Sequence, residues 1–578
     1  MEGGRRGFAP DRQFVVLVAG LALKAVVLVV IGLDWGLSGL LAAPATVPLA
    51  TLALAPGLVL HGPRRTAYLI LSAAVLSTVL LADMVYARAF GRLLSVTMLT
   101  PGASYEGLGE SVVALLRPTD ALFFLDVLVL LALALRRRPG REPAPRRSRV
   151  RRAARVGMSC AALFVGQVLT LTSDPRDRIA WLSPLGFHVY EAYAELIDTN
   201  RVLEPQERER VEAWFAANAA HQAPAPEHAH LFGALAGRDV YVIQVESMEE
   251  IVLGLEVEGQ EVTPTLNGLL DQSLHFTDIL QQTRDGNTSD AELLVAAGLY
   301  PLDAGSAFLR FPDNDGYTTL PQLAADLGYE TYAVHGDGET FWNRDEVYPR
   351  LGWQHYVAED DFAHRPRLGM GIADTAMFDQ VFVELDRLAA RTPGQERPPV
   401  LMSLVTMTSH TPFRLPEHLQ ELDLSTDDTS SDYLQSMRYV DSAFADFYAG
   451  LRERGLLERS AFVVLGDHEG VHKYATDEVW LPENHLRVPL VVHAPGLDGL
   501  EVGSPGGQVD IMPTLAFLLG VPQERYAASV MGRNLLGPGS GSGIDSEGHL
   551  VPGVDGADLL RVAYEVADLA ISSDYFIR

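Results

Sequence analysis

Asp467 and His468 close an apolar run, AFVVLGDHEG over 461–470, and both side-chain types can ligate a divalent cation. A short strand that delivers such a pair into a loop points to metal-assisted chemistry at a strand end. Taken alone, the pair is also what an Asx turn beside a surface imidazole looks like. Its weight rises with its company: Glu246 follows RDVYVIQV, His335 closes ETYAVH, and His410 follows VLMSLVTMTS. A hydroxyl is available as well. In QQTRDGNTSDAELLVAAGLYP (281–301), Gly286 loosens a turn, and Thr288 or Ser289 stands where a helix begins. Free N–H groups and the dipole at a helix N-terminus favour anions, so a hydroxyl there is placed to attack phosphorus. The same hydroxyl also reads as an ordinary N-cap.

These groups need a scaffold that brings distant segments together. From Gly237 onward, continuous apolar runs alternate with amphipathic helical stretches such as SDYLQSMRYVDSAFADFYAGLRERG (431–455). RVPLVVHAPG (487–496) is a further run of the same kind. Runs apolar on both faces are what parallel strands buried under helices produce, and the alternation predicts an α/β domain with a largely parallel sheet. In such sheets ligands bind beyond the carboxyl ends of the strands, where Glu246, His335, His410, Asp467 and His468 all fall.

The first 173 residues are of another kind. The chain has 578 residues, 48% hydrophobic, with a mean hydropathy of +0.10. The excess lies in five apolar stretches near bilayer length: 14–31, 38–60, 67–85, 119–135 and 156–172. Basic residues precede the first, separate the second from the third, and fill RRRPGREPAPRRSRVRRAAR (136–155) between the fourth and fifth. With five spans, all three basic segments share one side. The positive-inside rule then puts the N-terminus in the cytoplasm and the remainder outside. Lys24, Asp83 and Asp126 read as isolated charges, too sparse for a transport pathway. Residues 174–236 read as a juxtamembrane helix and an Ala/Pro/His-rich linker, and 237–578 as the extracellular catalytic domain.

Charge is divided unevenly: 19 Lys and Arg against 9 Asp and Glu through Ser173, then 26 against 65 beyond it. So acidic an exterior argues against nucleic acid as a partner and requires any anionic lipid to be recognised by a local cationic cluster. Cys160 is the single cysteine, which leaves the exterior part without disulfide, thiol nucleophile or cysteine metal site.

VIQVES, TPTLNGLL, NTSDAELL, GLYPLDAGS, HGDGETFWNRDEVY, TSHTPF, GDHEG and QVDIMPTL occur in this order. In these motifs, and in the helical part before them, the chain resembles the lipoteichoic acid synthase family: membrane-anchored phosphoglycerol transferases of the alkaline phosphatase and sulfatase superfamily. The resemblance implies an α-helical five-span membrane domain followed by an alkaline phosphatase/sulfatase-like α/β domain. It implies Thr288 as nucleophile, and Glu246, Thr288, Asp467 and His468 as ligands of one divalent ion, manganese before magnesium or zinc. It places His335, Asp337, Trp342, Arg344 and His410 around a glycerophosphate group. Phosphatidylglycerol is the implied donor, and a glycolipid, a polymer or a periplasmic glycan the acceptor. In that setting Arg344 would clamp phosphate oxygens, Trp342 would pack on glycerol carbons, and His410, with His335 second, would move protons. HTPFR begins with His410 where a sulfatase carries Cys or Ser, which argues against sulfate ester chemistry. His485 and His493 do not complete a second metal site. Phosphoethanolamine transfer, lipid phosphodiesterase activity and non-catalytic lipid sensing are the alternatives.

Overall fold

The computed structural model describes residues 12–33, 35–90, 92–99, 112–113, 115–135, 146–170, 175–198, 201–473, 480–483 and 485–577. The chain divides into two compact units, Met1–Val96 with Val112–Leu196, and Thr97–Ser111 with Ile197–Arg578.

In the first unit, three helices among the described residues are long and apolar enough to cross a bilayer: Arg12–Gly32, Gly39–Leu58 and Gly62–Arg88. The other two expected spans fall short of that measure. The fourth stretch forms a 3-10 turn, Pro118–Phe124, and a helix of only 11 described residues, Leu125–Leu135. The fifth is the apolar second half of helix Arg146–Leu169, whose first half is loaded with arginine. Part of the basic connection, 136–145, lies outside the described residues. The charges expected to be isolated are paired. Lys24 Nζ lies 2.6 Å from Asp126 Oδ1 and 2.6 Å from Ser77 Oγ, and Asp83 meets His188 Nε2 at 2.9 Å. Pairing is what allows ionisable groups among apolar helices.

The second unit is built on an eight-stranded sheet: β1 (Asp239–Val245), β2 (Ser273–Phe276), β3 (Glu330–His335), β4 (His355–Val357), β5 (Val400–Val405), β6 (Ser460–Gly466), β7 (Leu490–His493) and β8 (Leu500–Val502). Their spatial order is β8-β2-β7-β6-β1-β5-β3-β4. Only β7 runs against the others, pairing antiparallel with β6 and with β2. Its run, RVPLVVHAPG, was expected to be parallel, and burial on both faces does not encode direction. Around the sheet lie α1 (Pro205–Asn218), α2 (Thr288–Ala297), α3 (Arg344–Leu351), α4 (Asp374–Arg391), α5 (Thr429–Glu453), α6 (Ile511–Leu518) and α7 (Ala563–Ser572).

The period of two along each strand sorts side chains to two cores. Val240, Val242, Val463 and Leu465 pack with residues of α1, α2, α6 and α7. Tyr241, Ile243, Phe462 and Val464 pack with α4 and α5. Helix α1 belongs to this unit, since Val211, Trp214 and Phe215 are buried in the first core. The stretch read as a linker is also fixed to it: Gln222 Nε2 donates to Gly532 O at 2.5 Å, and Ala225 N to Leu536 O at 2.7 Å. Covering both faces leaves the sheet edges as the place for chemistry. Val245 is in register with Gly466, Gln244 with Val405, and Val405 with His335, so four strands end together.

Candidate active site

Glu246 and Asp467 are the residues that follow those paired ends on β1 and β6. Their carboxylates and His468 each offer a ligand atom within 4.8 Å of the others, and all three residues are buried. Backbone fit demands glycine around them. A Cβ at Gly466 would stand 1.9 Å from Met248 O, and one at Gly470 would stand 2.3 Å from Ser247 O. Asp467 Oδ1 accepts from the backbone N–H of Ser247 and His468, both at 2.8 Å, while its buried Oδ2 has no hydrogen-bond partner. Ser247 Oγ donates to Glu246 Oε1 at 2.7 Å. His468 Nδ1 lies 2.9 Å from Glu469 O, which makes Nδ1 the protonated nitrogen and leaves Nε2 with its lone pair. That Nε2 is 3.5 Å from Glu246 Oε1 and 3.5 Å from Asp467 Oδ2.

The Lys473 charge is felt by all three residues, yet burial dominates the electrostatics of the cluster. Burial, then the neighbouring Glu246 charge, push Asp467 well above the usual carboxylate range. Burial also works against ionised Glu246, but the facing His410, the Ser247 hydroxyl and the Lys473 charge hold it low. Burial and the Lys473 charge push His468 down to about 4, so its imidazole is neutral at physiological pH. Two buried carboxylates, a neutral imidazole with a free lone pair and an orphaned carboxylate oxygen together fit a divalent cation of the manganese, magnesium or zinc type.

Thr288 opens helix α2, and its Oγ1 lies 3.3 Å from Glu246 Oε2. The structure separates it from its neighbour. Ser289 is fully buried, its hydroxyl bonded at 2.8 Å to both Gly286 O and Ser306 Oγ, whereas Thr288 is half-buried. The turn before α2 is fixed by Asp290, whose Oδ2 accepts from Arg284 N and Gly286 N at 2.9 and 3.0 Å. A Cβ at position 286 would collide with Asp290 at 2.1 Å.

The expected substrate-contacting residues are distributed as follows. His410 is half-buried, with Nδ1 2.9 Å from Thr411 O, which presents Nε2 for proton exchange. His335 is buried at the end of β3, with Nδ1 3.2 Å from Val405 O and an unpartnered Nε2. Burial and the Arg344 charge push its pKa well below the usual value, so at physiological pH it is a neutral acceptor and no source of protons. Asp337 is half-buried, its Oδ1 accepting from Gly338 N at 2.8 Å; burial raises its pKa. Trp342 packs edge-on against Phe341 with ring centroids 5.8 Å apart, beside Met370 and Met407.

Arg344 departs from expectation. It is fully buried, and its Nε and Nη2 grip Glu292 Oε1 at 3.1 and 2.5 Å, with Tyr348 Oη donating to the other Glu292 oxygen. A buried guanidinium needs a carboxylate, and Glu292, one turn after Thr288 on α2, supplies it. In this arrangement Arg344 ties the Thr288 helix to the Trp342 loop in place of the expected phosphate clamp.

Sequence reasoning also missed Asp374 and Glu249. Asp374 Oδ1 accepts from Met407 N and Thr408 N at 2.9 and 3.1 Å, holding the loop that leads to His410. Glu249 Oε1 accepts from Gly470 N at 2.6 Å and His472 N at 3.1 Å, while its Oε2 meets His472 Nδ1. The one available signal was an acidic residue at the start of α4 for Asp374. His493 sits at the far end of the sheet against Ser273 Oγ at 3.1 Å, and His485 is exposed. Backbone strain gathers at the site: of nine non-glycine residues with positive φ among the described residues, Ser247, Asn287, Trp342, Asn343 and Phe413 lie within three positions of a named site residue.

A helical unit followed in the chain by an α/β domain with a carboxylate–imidazole cluster at its strand ends defines a membrane-associated enzyme of the alkaline phosphatase and sulfatase class. The sulfatase family model matches residues 238–521, and the model of the lipoteichoic acid synthase N-terminal domain matches residues 7–201. Lipoteichoic acid synthase 1 of Bacillus subtilis is 28% identical over 494 residues, covering 80% of this chain and 75% of that protein. The lipoteichoic acid synthase LtaP of Listeria monocytogenes shares the fold with a TM-score of 0.52 at 21% identity, over 64% of this chain and 98% of that one. The lipooligosaccharide phosphoethanolamine transferase EptA of Neisseria meningitidis does so with a TM-score of 0.54 at 14% identity, over 90% and 98%. In both of its parts the chain is thus similar to the lipoteichoic acid synthases.

Proposed function

We propose that this enzyme transfers glycerophosphate from phosphatidylglycerol to an acceptor hydroxyl, on a glycolipid, a growing polymer or a glycan, and releases diacylglycerol. The observation that carries the reading is the Thr288 hydroxyl 3.3 Å from Glu246 Oε2, within the carboxylate and imidazole cluster at the strand ends. The names of the curated relatives point to the same class of reaction.

Thr288 reacts as its alkoxide: Oγ1 attacks phosphorus in line, the bond to the diacylglycerol oxygen breaks, and that oxygen takes a proton from His410 Nε2. The acceptor hydroxyl then gives its proton to His410 and attacks the same phosphorus, which restores Thr288. Glu246, Asp467, His468 and Thr288 would hold one divalent cation, with manganese first in preference. When bound, that ion favours the alkoxide and offsets phosphoryl charge. His335 Nε2 accepts a hydrogen bond from the headgroup, and Trp342 packs on its carbons. Five spans, with the N-terminus in the cytoplasm and residues 237–578 outside the bacterial cell membrane, would let the lipid donor react without leaving the bilayer. The domain divisions 1–173, 174–236 and 237–578 belong to the same proposal.

The test is to incubate full-length protein with manganese and phosphatidylglycerol, then measure diacylglycerol and intact protein mass beside a Thr288→Ala control. A glycerophosphoryl adduct absent from the control supports donor, nucleophile and intermediate together. Activity on phosphatidylethanolamine alone would replace this reading with phosphoethanolamine transfer, for which the EptA-like fold over 90% of the chain is the favouring observation.

A further inference from the structure

The N-terminal unit holds a feature that the transfer reaction does not use. An open groove of about 540 Å³ lies between Leu52, Pro56, Val59 and Leu60 on one side and Ala153 and Ala154 on the other. Its lining is apolar, and the one hydroxyl there, Tyr68 Oη, is engaged with Ala53 O at 2.7 Å. Two guanidinium groups are fixed near one end. Arg149 Nη1 donates to Leu60 O at 3.1 Å and to Val59 O, and Arg65 Nε donates to Gly57 O at 3.1 Å. The segments that form the groove, 42–70 and 146–170, contain eight arginines and no aspartate or glutamate.

We propose that this groove binds an anionic phospholipid, with an acyl chain along the apolar lining and the phosphate at Arg65 and Arg149. A peptide would bring unsatisfied backbone groups into an apolar helical unit, which a hydrocarbon chain does not. Basic pockets between membrane helices on the cytoplasmic side suit anionic headgroups, and a polybasic surface adds about 1 kcal/mol of attraction per residue. A zwitterionic headgroup brings no net charge to a region with eight positive and no negative side chains. The groove lies in a different compact unit from Thr288 and the carboxylate cluster, so this site is separate from the one proposed for the donor.

Full-length protein in detergent would be titrated with dioleoylphosphatidylserine or dioleoylphosphatidylcholine and followed by native mass spectrometry. Phosphatidylserine is chosen because it is anionic but carries no glycerol headgroup for the catalytic site. The expected result is one retained phosphatidylserine per chain with about tenfold preference over phosphatidylcholine. Arg65→Gln with Arg149→Gln should bring the preference to within about twofold. Ala153→Phe, which fills the groove without changing charge, should lower phosphatidylserine occupancy by about tenfold. Equal retention of both lipids by the wild type overturns the proposal. So does unchanged phosphatidylserine occupancy in Ala153→Phe, which decides the matter alone if the double variant does not fold.

Discussion

Strand β1 carries a carboxylate at each edge of the sheet, and the two are neutralised in different ways. At its start, Asp239 is fully buried between Arg397, whose Nη1 and Nη2 lie 2.8 and 2.6 Å from the two oxygens, and Arg459, whose Nε lies at 3.0 Å. Val400 N adds a fourth contact at 3.1 Å. At its end, Glu246 faces Asp467 and a neutral His468, and one buried oxygen of Asp467 has no partner. Where the protein supplies the positive charge itself, the carboxylate stabilises the fold. At Glu246 and Asp467 the Lys473 charge does not outweigh burial, and a divalent cation would complete the cluster.

The largest expected effect tests whether the open edge is catalytic. Thr288→Ala should cut diacylglycerol release from phosphatidylglycerol by about 10⁴-fold or more, as loss of a covalent nucleophile does. Ser289→Ala removes a hydroxyl bonded to Gly286 O and Ser306 Oγ, neither of them in the carboxylate cluster, and should keep most of the activity, at a stability cost of about 1 kcal/mol. Similar losses in both variants would mean that the turn, and not Thr288, carries the reaction.

The second prediction sets the two edges against each other by thermal unfolding of the detergent-solubilised protein. Asp239→Asn strands the buried Arg397 charge, while Arg459 keeps Glu396 at 3.2 Å, and should cost about 3 kcal/mol with or without manganese. Asp467→Asn relieves a like-charge contact, so the metal-free protein should be no less stable than wild type. It should, however, lose the manganese-dependent stabilisation, which for wild type is about 2.7 kcal/mol at 100 times Kd. If Asp467→Asn retained the full manganese response, the contrast between the edges would be wrong.

How far this contrast could be read beforehand depends on which residues carry it. The five apolar runs ending at or just before Glu246, His335, His410, Asp467 and near His493 all became strands, because their burial on both faces leaves an unbroken apolar signature. Strands β2, β4 and β8 did not stand out, having only four, three and three residues. Glu246, Asp467 and His468, which the structure brings together, were legible since each follows closely on a strand end. Glu292, Glu249 and Asp374 were not, because each acts through a partner far away in sequence, such as Arg344, 52 residues from Glu292. A guanidinium in a motif gives no sign of whether it faces solvent or a buried carboxylate. The polar pairs Lys24 with Asp126 and Asp83 with His188 were read as isolated charges for the same reason, with separations of 102 and 105 residues.

Asp374 offers a smaller, pH-dependent effect at the open edge. Burial pushes its carboxyl up to about 6, against the two backbone N–H groups that favour its charged form. A carboxyl raised in the folded state contributes stability that is complete below about pH 4 and is lost as pH rises through about 6. At about 1.4 kcal/mol per pKa unit, the loss is about 3 kcal/mol at most. Stability measured from pH 4 to 7 should therefore decline in the wild type from this group, and Asp374→Asn should flatten that part of the curve. An unchanged slope would mean that Asp374 is ionised across the range and that its loop is held in another way.

The smallest effect separates orientation from strain at Ser247. Its backbone is held from three sides: its N–H donates to Asp467 at 2.8 Å, its carbonyl accepts from Tyr433 Oη at 3.1 Å, and Gly470 packs so closely that a Cβ there would lie 2.3 Å away. These contacts hold φ at +57° in a residue that is not glycine. The hydroxyl has a separate task, donating to Glu246 Oε1 at 2.7 Å. Ser247→Ala keeps the strained backbone and removes only that hydrogen bond, so manganese affinity should fall about tenfold, as for other groups that orient a metal ligand. Ser247→Gly also relieves the strain and should raise metal-free stability by about 1 kcal/mol, with the same fall in affinity. Calorimetric titration of manganese into both variants, paired with their unfolding curves, reads the two effects independently. If both bound manganese as tightly as wild type, the hydroxyl would not orient Glu246, and the preorganisation of the open edge would rest on the backbone alone.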